Sequence, residues 1–377
     1  MEFNYPSVND RQQHWNNFNF GPDIKLIAYF HLELLVAIRN SNNINDSVHQ
    51  YLNEYFKNVK LNESFNKKLV IVYEEKLFID IFLGIHTWFS RQCCNLSNIV
   101  FVSATTINLS VWYKEYVETF NQRGMTVIDA PLSGVLFDKL MTSVTGLKVD
   151  TIKKDLKYYF SYFGGQEPGW VEQDFLAALF LTRKNIGLVD YLAGFQCDAH
   201  TFESYLENIT GYSNRSWVDQ LLDSRKTSPF KLSRIKMTAG SDPNNTKQFQ
   251  EQTAIQVLRE NVNSQPFVSM TGTTIKSFLY FDHVMPLGIR SVESLEQLGF
   301  KFDHELIAYD YQYEPMFFNR MLKVIEQLDR IKNRFTLDEL EKRLYTNTDI
   351  LRHNHDHIVS GNMLRLVKEK LAKELNK

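Results

Sequence analysis

Three short runs of β-branched and aromatic residues recur in the first third of the chain: Lys68 to Tyr73 (KLVIVY), Asn98 to Ser103 (NIVFVS) and Met125 to Asp129 (MTVID). A run this apolar has no polar face to offer solvent. It is buried on both sides, and strands of that kind belong to parallel sheets covered by helices. Parallel neighbours need a crossover, and residues 78–91 and 110–122 carry helical periodicity that supplies one. Three strand–turn–helix units in succession predict a doubly wound first domain. Glu74, Glu75, Ser103, Thr105 and Asp129 then stand at carboxyl ends of its strands, the edge where ligands bind in open α/β sheets.

Around this block the pattern is less uniform. Residues 1–22 are rich in Asn, Gln and aromatics without a period and read as an irregular arm. Ile24 to Ile38 reads either as a buried strand followed by a helix or as one buried helix, and residues 44–60 form an amphipathic helix. The polar stretch 142–155, with Gly146, marks a domain boundary. Beyond it, Lys157 to Phe163 (KYYFSYF) predicts a strand ending in Gly164-Gly165, then a loop with Pro168 and Gly169 and a helix over 171–181. From Ala254 the order is a helix ending near Arg259-Glu260, a short strand over 266–270, and a Thr271-Gly272-Thr273-Thr274 turn that opens a second helix. A buried strand over 284–287, a Gly288 turn and an amphipathic helix closing at Gly299 follow, and from Phe317 the chain is helical over 317–331, 337–345 and 350–375. The expected fold is α/β with two Rossmann-like domains, 1–150 and 151–335, and a helical C-terminal segment over 336–377.

Composition narrows the class. A chain of 377 residues exceeds one ordinary core and suits two domains, and 44% hydrophobic with 23% charged residues predicts packed globular structure. A net charge of −2 argues against a dedicated, strongly basic nucleic-acid binder. The loop over 226–247 is nevertheless locally basic, with Lys226, Lys231, Arg234, Lys236 and Lys247 among Ser, Thr, Asn and Pro; it reads as phosphate contacts to a polyanion or as a solvated surface loop. Three cysteines, two adjacent at Cys93-Cys94, make no disulfide framework or metal-ligand spacing. The polar start lacks the features of a signal peptide, and no apolar run reaches the ~18 residues a membrane span needs. The expectation is a soluble cytoplasmic protein with no membrane partner. His353, His355 and His357 have no partner at zinc-site spacing, so no metal is expected and they read as surface histidines. Neither a phosphate loop, a kinase signature, a nucleophile elbow nor an Asp-x-Asp element is present.

The strand, the Thr-x-x-Thr turn (271–274), Lys276, the buried Pro286-Leu287-Gly288 and the run LEQLGFKFDHELIAYDYQYE (295–314) together resemble the C-terminal half of a group of bacteriophage glycosyltransferase-like proteins of the DNA base-modifying type, distantly similar to fucosyltransferases. The resemblance spans residues 157–361. The turn of that group usually reads Thr-Glu-Lys-Thr, and this chain has Gly272 and Thr273 in place of Glu and Lys. The resemblance implies a GT-B-like enzyme that moves a hexose or pentose from a UDP- or GDP-sugar co-substrate to a hydroxyl, with no other cofactor. It also implies, as acceptor, a hydroxymethylated base such as hydroxymethylcytosine in double-stranded phage DNA, flipped out of the duplex in the host cytoplasm. Lys226, Lys231, Arg234 and Lys236 would then contact the DNA. An inactive binding protein that keeps the transferase fold, and a transferase acting on a glycan or small molecule, are the alternatives.

Glycosyl transfer needs a base for the acceptor hydroxyl and cations or N–H groups for the departing diphosphate. Glu74 and Glu75 are the candidate bases, against the alternative of a solvated acidic turn. Gly164, Gly165, Arg259, Thr271, Thr273, Thr274 and Lys276 are the candidate diphosphate contacts, and Glu260 resembles the acidic residue that meets donor hydroxyls in related sugar transferases. The glycines read equally as a simple turn, and the threonines as a helix cap.

Overall fold

The computed structural model describes residues 24–30, 44–57, 68–73, 77, 79–92, 95–104, 106–131, 154–164, 177, 181, 186–191, 251–258, 267–269, 272–346 and 348–375. Its first sheet holds β1 (Ile24–Phe30), β2 (Lys68–Tyr73), β3 (Ile99–Ser103) and β5 (Thr126–Asp129), in that spatial order. Every pairing in it is parallel. The helices α1 (Ile44–Tyr55), α2 (Ile79–Arg91) and α3 (Leu109–Thr119) make the crossovers that parallel pairing demands. Strand β3 is buried along its whole length, as its lack of a polar face requires.

The second sheet runs β10 (His283–Pro286), β8 (Thr253–Leu258), β6 (Tyr158–Gly164), β7 (Gly187–Tyr191), and it too is parallel throughout. The protein is therefore mixed α/β, and its described residues form two four-stranded parallel sheets. The expected strands over 157–163 and 284–287 are present, but the expected helix through 254–260 is not. Residues 253–258 are the inner strand β8, and all six are buried. The polar Gln256 lends that segment a helical look; in the sheet it is satisfied sideways. The Ser161 hydroxyl donates to Gln256 Oε1 at 2.8 Å, and Gln256 Nε2 donates to the Ser161 carbonyl at 3.2 Å. A buried amide with its partners in place does not interrupt a strand.

The sheets are joined by a small antiparallel pair, β4 (Thr106–Ile107) with β9 (Val268–Ser269). The pair carries an exchange of side chains. Ile107 belongs to the core under the second sheet. Phe267 belongs to the core under the first, where its ring lies 6.2 Å from Trp112. After β9 come α4 (Gly272–Leu279), then β10 and α5 (Ser291–Gln297).

Four helices finish the chain: α6 (Phe317–Arg334), α7 (Leu337–Thr346), α8 (Thr348–Val359) and α9 (Asn362–Leu375). The single helix expected over 350–375 is broken by Gly361, which takes φ +72. Helix α7 lies against β8, α8 against α4, and α9 returns to β5 of the first sheet.

The histidines of α8 are not at the surface: His355 and His357 are buried and His353 is half-buried. A carbonyl oxygen can only accept, so each of two rings must donate. His357 Nε2–H gives to Leu298 O at 2.7 Å and His353 Nε2–H to Gly299 O at 2.8 Å. Asn354 between them donates to Lys301 O and accepts from Lys301 N, each at 2.7 Å. These three side chains take up the backbone groups that α5 leaves at its C-terminal exit. Gly299 makes the exit possible with φ +94, and a Cβ there would stand 2.9 Å from the His357 ring. Gly299→Ala should lower unfolding stability by about 1–3 kcal/mol from backbone strain and the clash. Asn354→Ala should cost a similar ~1–3 kcal/mol by orphaning two backbone groups. Urea titration of both variants measures this, and wild-type midpoints would refute the clamp.

Candidate functional site

The segments that leave the carboxyl ends of the two sheets meet. From β3 the chain passes into β4 and Asn108; from β10 it passes to Gly288, Arg290 and α5. Asn108 takes a left-handed conformation, φ 67, and donates through Nδ2 to the hydroxyl of Ser294 in α5 at 2.7 Å. Asparagine tolerates that conformation better than most residues. Next to this contact β4 pairs with β9, two residues beyond which α4 opens at Gly272. The carboxyl edges of both sheets thus bound one region, the edge at which ligands bind in sheets of this kind.

Asp129 ends β5 at this edge but is committed to structure. Its carboxylate accepts from Thr106 Oγ1 (3.0 Å), Leu109 N (3.0 Å), Ser110 N (3.1 Å) and the Ser110 hydroxyl. It is 1% exposed. Four donors saturate its lone pairs, so it anchors β4 and supplies a carboxylate to the start of α3, where the helix dipole favours negative charge. Ser103, its neighbour on β3, carries a fully buried hydroxyl with no hydrogen-bond partner among the described residues.

Among the described residues, Arg290 is an exposed cation at this edge. Its backbone is fixed: φ is 52, its N–H donates to Gln312 O at 3.1 Å, and its carbonyl accepts from Ser294 N at 3.0 Å and from the Ser294 hydroxyl at 2.7 Å. Its guanidinium has no hydrogen-bond or ion-pair partner among the described residues. The sequence offered one signal for it, an arginine two residues after the Pro-Leu-Gly turn at the carboxyl end of a buried strand.

Of the residues the sequence nominated, Gly164 is the last residue of β6, paired with Tyr191 at the carboxyl end of the second sheet. Thr273, Thr274 and Lys276 lie within α4, and Thr274 is completely buried. The side chains of Thr273 and Lys276 fall outside the described residues, as do Glu74, Glu75, Gly165, Arg259, Glu260, Thr271 and the basic residues Lys226, Lys231, Arg234 and Lys236.

Two strongly perturbed groups lie at the opposite, amino-terminal edge. Asp282 immediately precedes β10 and His283 opens it, both buried. Lys154 pairs with Asp282 and donates to Thr253 O at 3.1 Å. Burial pushes Asp282 up to about 6 against the pull of Lys154. Burial pushes His283 down to about 4, and its Nε2 has no hydrogen-bond partner among the described residues. Nearby Arg343 of α7 holds Asp303 with Nη2 at 3.0 Å from Oδ1 and Nε at 3.2 Å from Oδ2. Strong perturbation often marks a functional site. Here it marks a sealed ionic seam that ties α7 and the residue 303 turn beneath the second sheet.

Among the described residues no helix is long and apolar enough to cross a membrane, and no three His, Cys, Asp or Glu residues are grouped to hold a metal. No family model matches the chain, and no curated protein matches it. Among solved structures, a glycosyltransferase from Rickettsia africae ESF-5 is similar over 92% of this chain and 98% of its own, at 11% identity and a TM-score of 0.37. A likeness at that score carries no argument about fold or reaction.

The seam has a signed pH signature. His283, lowered from 6.5 to about 4, supports folding fully above pH 6.5 and loses that support as pH falls toward 4. Asp282, raised from 3.8 to about 6, contributes in the opposite sense as pH falls from 6 to 3.8. Each amounts to about 3 kcal/mol by linkage, so the pair nearly cancels below pH 6. His283→Gln removes only the first contribution. Relative to wild type, its unfolding free energy should rise steadily between pH 6.5 and 4. A constant difference between the two proteins across that range would show that His283 does not titrate as its burial requires.

Proposed function

We propose that this protein is a glycosyltransferase that takes a sugar from a nucleotide-sugar donor and places it on a hydroxyl acceptor. The supporting observation is the meeting of connections from the carboxyl edges of two all-parallel sheets, with the Arg290 guanidinium unpaired there among the described residues. Two such sheets facing one region suit a reaction with two substrates, one held by each sheet, and the sequence resemblance over 157–361 points to glycosyl transfer. In this reading residues 1–150 form the acceptor domain, 151–335 the nucleotide-sugar domain and 336–377 a helical closure, in the GT-B manner.

The roles follow from chemistry. The diphosphate lies against Arg290, Gly164, Gly165, Arg259 and the start of α4 at Thr271, Thr273, Thr274 and Lys276. There N–H groups and cations stabilise the negative charge that grows on the leaving group. Guanidinium groups suit this task because they give two parallel hydrogen bonds to phosphate oxygens. Glu260 meets donor hydroxyls, and Glu74 or Glu75 takes the acceptor proton. A hydroxymethylated base in DNA is the proposed acceptor, with the 226–247 loop along the phosphate backbone.

The test incubates purified protein with UDP- and GDP-sugars and three acceptor sets: DNA containing 5-hydroxymethylcytosine, neutral glycans, and small alcohols. Mass spectrometry of the products should show a hexose or pentose increment on one set. Which set responds decides the acceptor, and absence of both donor turnover and donor binding ends the transferase reading. Arg290→Ala should weaken nucleoside diphosphate binding by about 10- to 100-fold, the loss expected when a charged hydrogen-bond donor is removed. Unchanged affinity in that variant would take Arg290 out of the donor site.

A further inference from the structure

A second cleft lies at the other end of the first sheet. It measures about 540 Å³ and is lined by His86, Thr87, Ser90, Leu96, Tyr116, Gln122 and Arg123. Its volume falls in the range of small-molecule pockets, roughly 300–1,000 Å³. His86, Thr87 and Ser90 come from the last two turns of α2, Tyr116 from the last turn of α3, and Leu96 from just before β3. Crossover helices run antiparallel to the strands they join. The cleft therefore stands at the amino-terminal edge, away from Asn108, Arg290 and the start of α4.

A relay of hydrogen bonds fixes the groups in this cleft. Met125 N–H donates to the Tyr113 hydroxyl at 2.9 Å, and that hydroxyl is 2.8 Å from His86 Nδ1. His86 Nε2 is 2.9 Å from Gln122 Oε1. Tyr113 Oη already accepts, and in this buried setting its own proton has one place to go, His86 Nδ1. His86 is held neutral by burial, so its single N–H is at Nε2 and donates to Gln122 Oε1. The opposite orientation of the Gln122 amide would leave the phenol proton unpaired in the interior. Gln122 therefore turns its two amide N–H groups toward the exposed end of the relay. Beside it Arg123 is exposed, with no partner for its guanidinium among the described residues. The Ser90 hydroxyl donates to His86 O at 2.9 Å and keeps its lone pairs. One wall is aromatic: the Tyr116 ring is half-buried, 4.9 Å from the 61% exposed Phe120 ring and 5.5 Å from Trp112.

We propose that this cleft binds a neutral saccharide, with a pyranose face against Tyr116 and its hydroxyls on the Gln122 amide, Arg123 and Ser90. An aromatic face covers the C–H face of a sugar, while planar amide and guanidinium groups give paired donors to neighbouring hydroxyls. Neutrality follows from the helices. α2 and α3 both end at the cleft, so the negative ends of two dipoles offset the charge of Arg123 and disfavour an anion. The site does not depend on the transferase reading, since it lies at the other edge of the sheet.

The full-length protein is titrated with maltose, lactose and N,N′-diacetylchitobiose, with uridine monophosphate as an anionic comparison, by calorimetry and by ligand-observed NMR. One or more disaccharides should bind and uridine monophosphate should not compete. Gln122→Glu keeps an acceptor for His86 Nε2–H but removes both amide donors, and it should weaken the saccharide by about 10-fold or more. Tyr116→Ala should do the same, and Gln122→Glu, at an exposed position, shows the effect without disturbing the core. Binding of none of the disaccharides, saccharide binding undiminished in Gln122→Glu, or displacement of the disaccharide by uridine monophosphate would each overturn the proposal.

Discussion

The arrangement of the two sheets depends on a pairing only two residues long. A β4–β9 ladder of that size has little stability of its own, since isolated two-stranded pairs are marginal in water. What makes it hold is the crossing of side chains beside it. Ile107 leaves the first half of the chain to fill the second core, and Phe267 leaves the second half to fill the first. Each is nearly fully buried, and burying a side chain of that size contributes about 1.5–3 kcal/mol. Neither core is complete without a residue from the other half. Asp129 fixes β4 by accepting from Thr106, and the same carboxylate holds the first turn of α3, so one buried group sets both the link and the helix beside it.

This constraint divides labour between the two edges of the second sheet. At the amino-terminal edge Lys154, Asp282, His283 and Asp303 are buried, Lys154 pairs with Asp282, and the half-buried Arg343 of α7 pairs with Asp303. A buried ion pair contributes little net stability, but breaking one partner away is expensive, so such a seam resists rearrangement more than it deepens the energy well. At the carboxyl edge the polar groups are of a different kind. Arg290 is exposed on a fixed backbone, and α4 opens two residues after the link. A rigid floor under one edge leaves the other as the place where side chains remain free to meet a ligand.

Much of this was legible in the sequence, for reasons particular to each element. β2 and β3 were readable because burial on both faces leaves a continuous β-branched run that no amphipathic helix produces, and β5 because its short run Thr126–Asp129 keeps the same β-branched character at the edge of the sheet. β8 was not, because Gln256 breaks its run, and the partner that satisfies the amide, Ser161, lies 95 positions away. The histidines of α8 were misread for a similar reason. Their polarity suggested solvent, yet their partners are carbonyls of Leu298 and Gly299, more than 50 residues distant in sequence. Periodicity reports which face is buried; it is silent on which backbone groups elsewhere need a donor. The spacing after Pro-Leu-Gly marks the position of Arg290, but that its guanidinium has no partner among the described residues is a property of the folded surface.

The departure at Gly272 and Thr273 takes on a physical meaning in this setting. A turn with a Glu-Lys pair brings its own cation to the start of α4, whereas this chain brings none at those two positions. Arg290, on the neighbouring connection from β10, supplies a cation at the same edge, held by Gln312 and Ser294 rather than by its own side-chain contacts. A guanidinium positioned through its backbone keeps all five N–H donors for a ligand. In the proposed donor site Arg290, at the start of α5, then adds its charge to that of Lys276 in α4, and backbone N–H groups at the start of α4 can meet a phosphate directly.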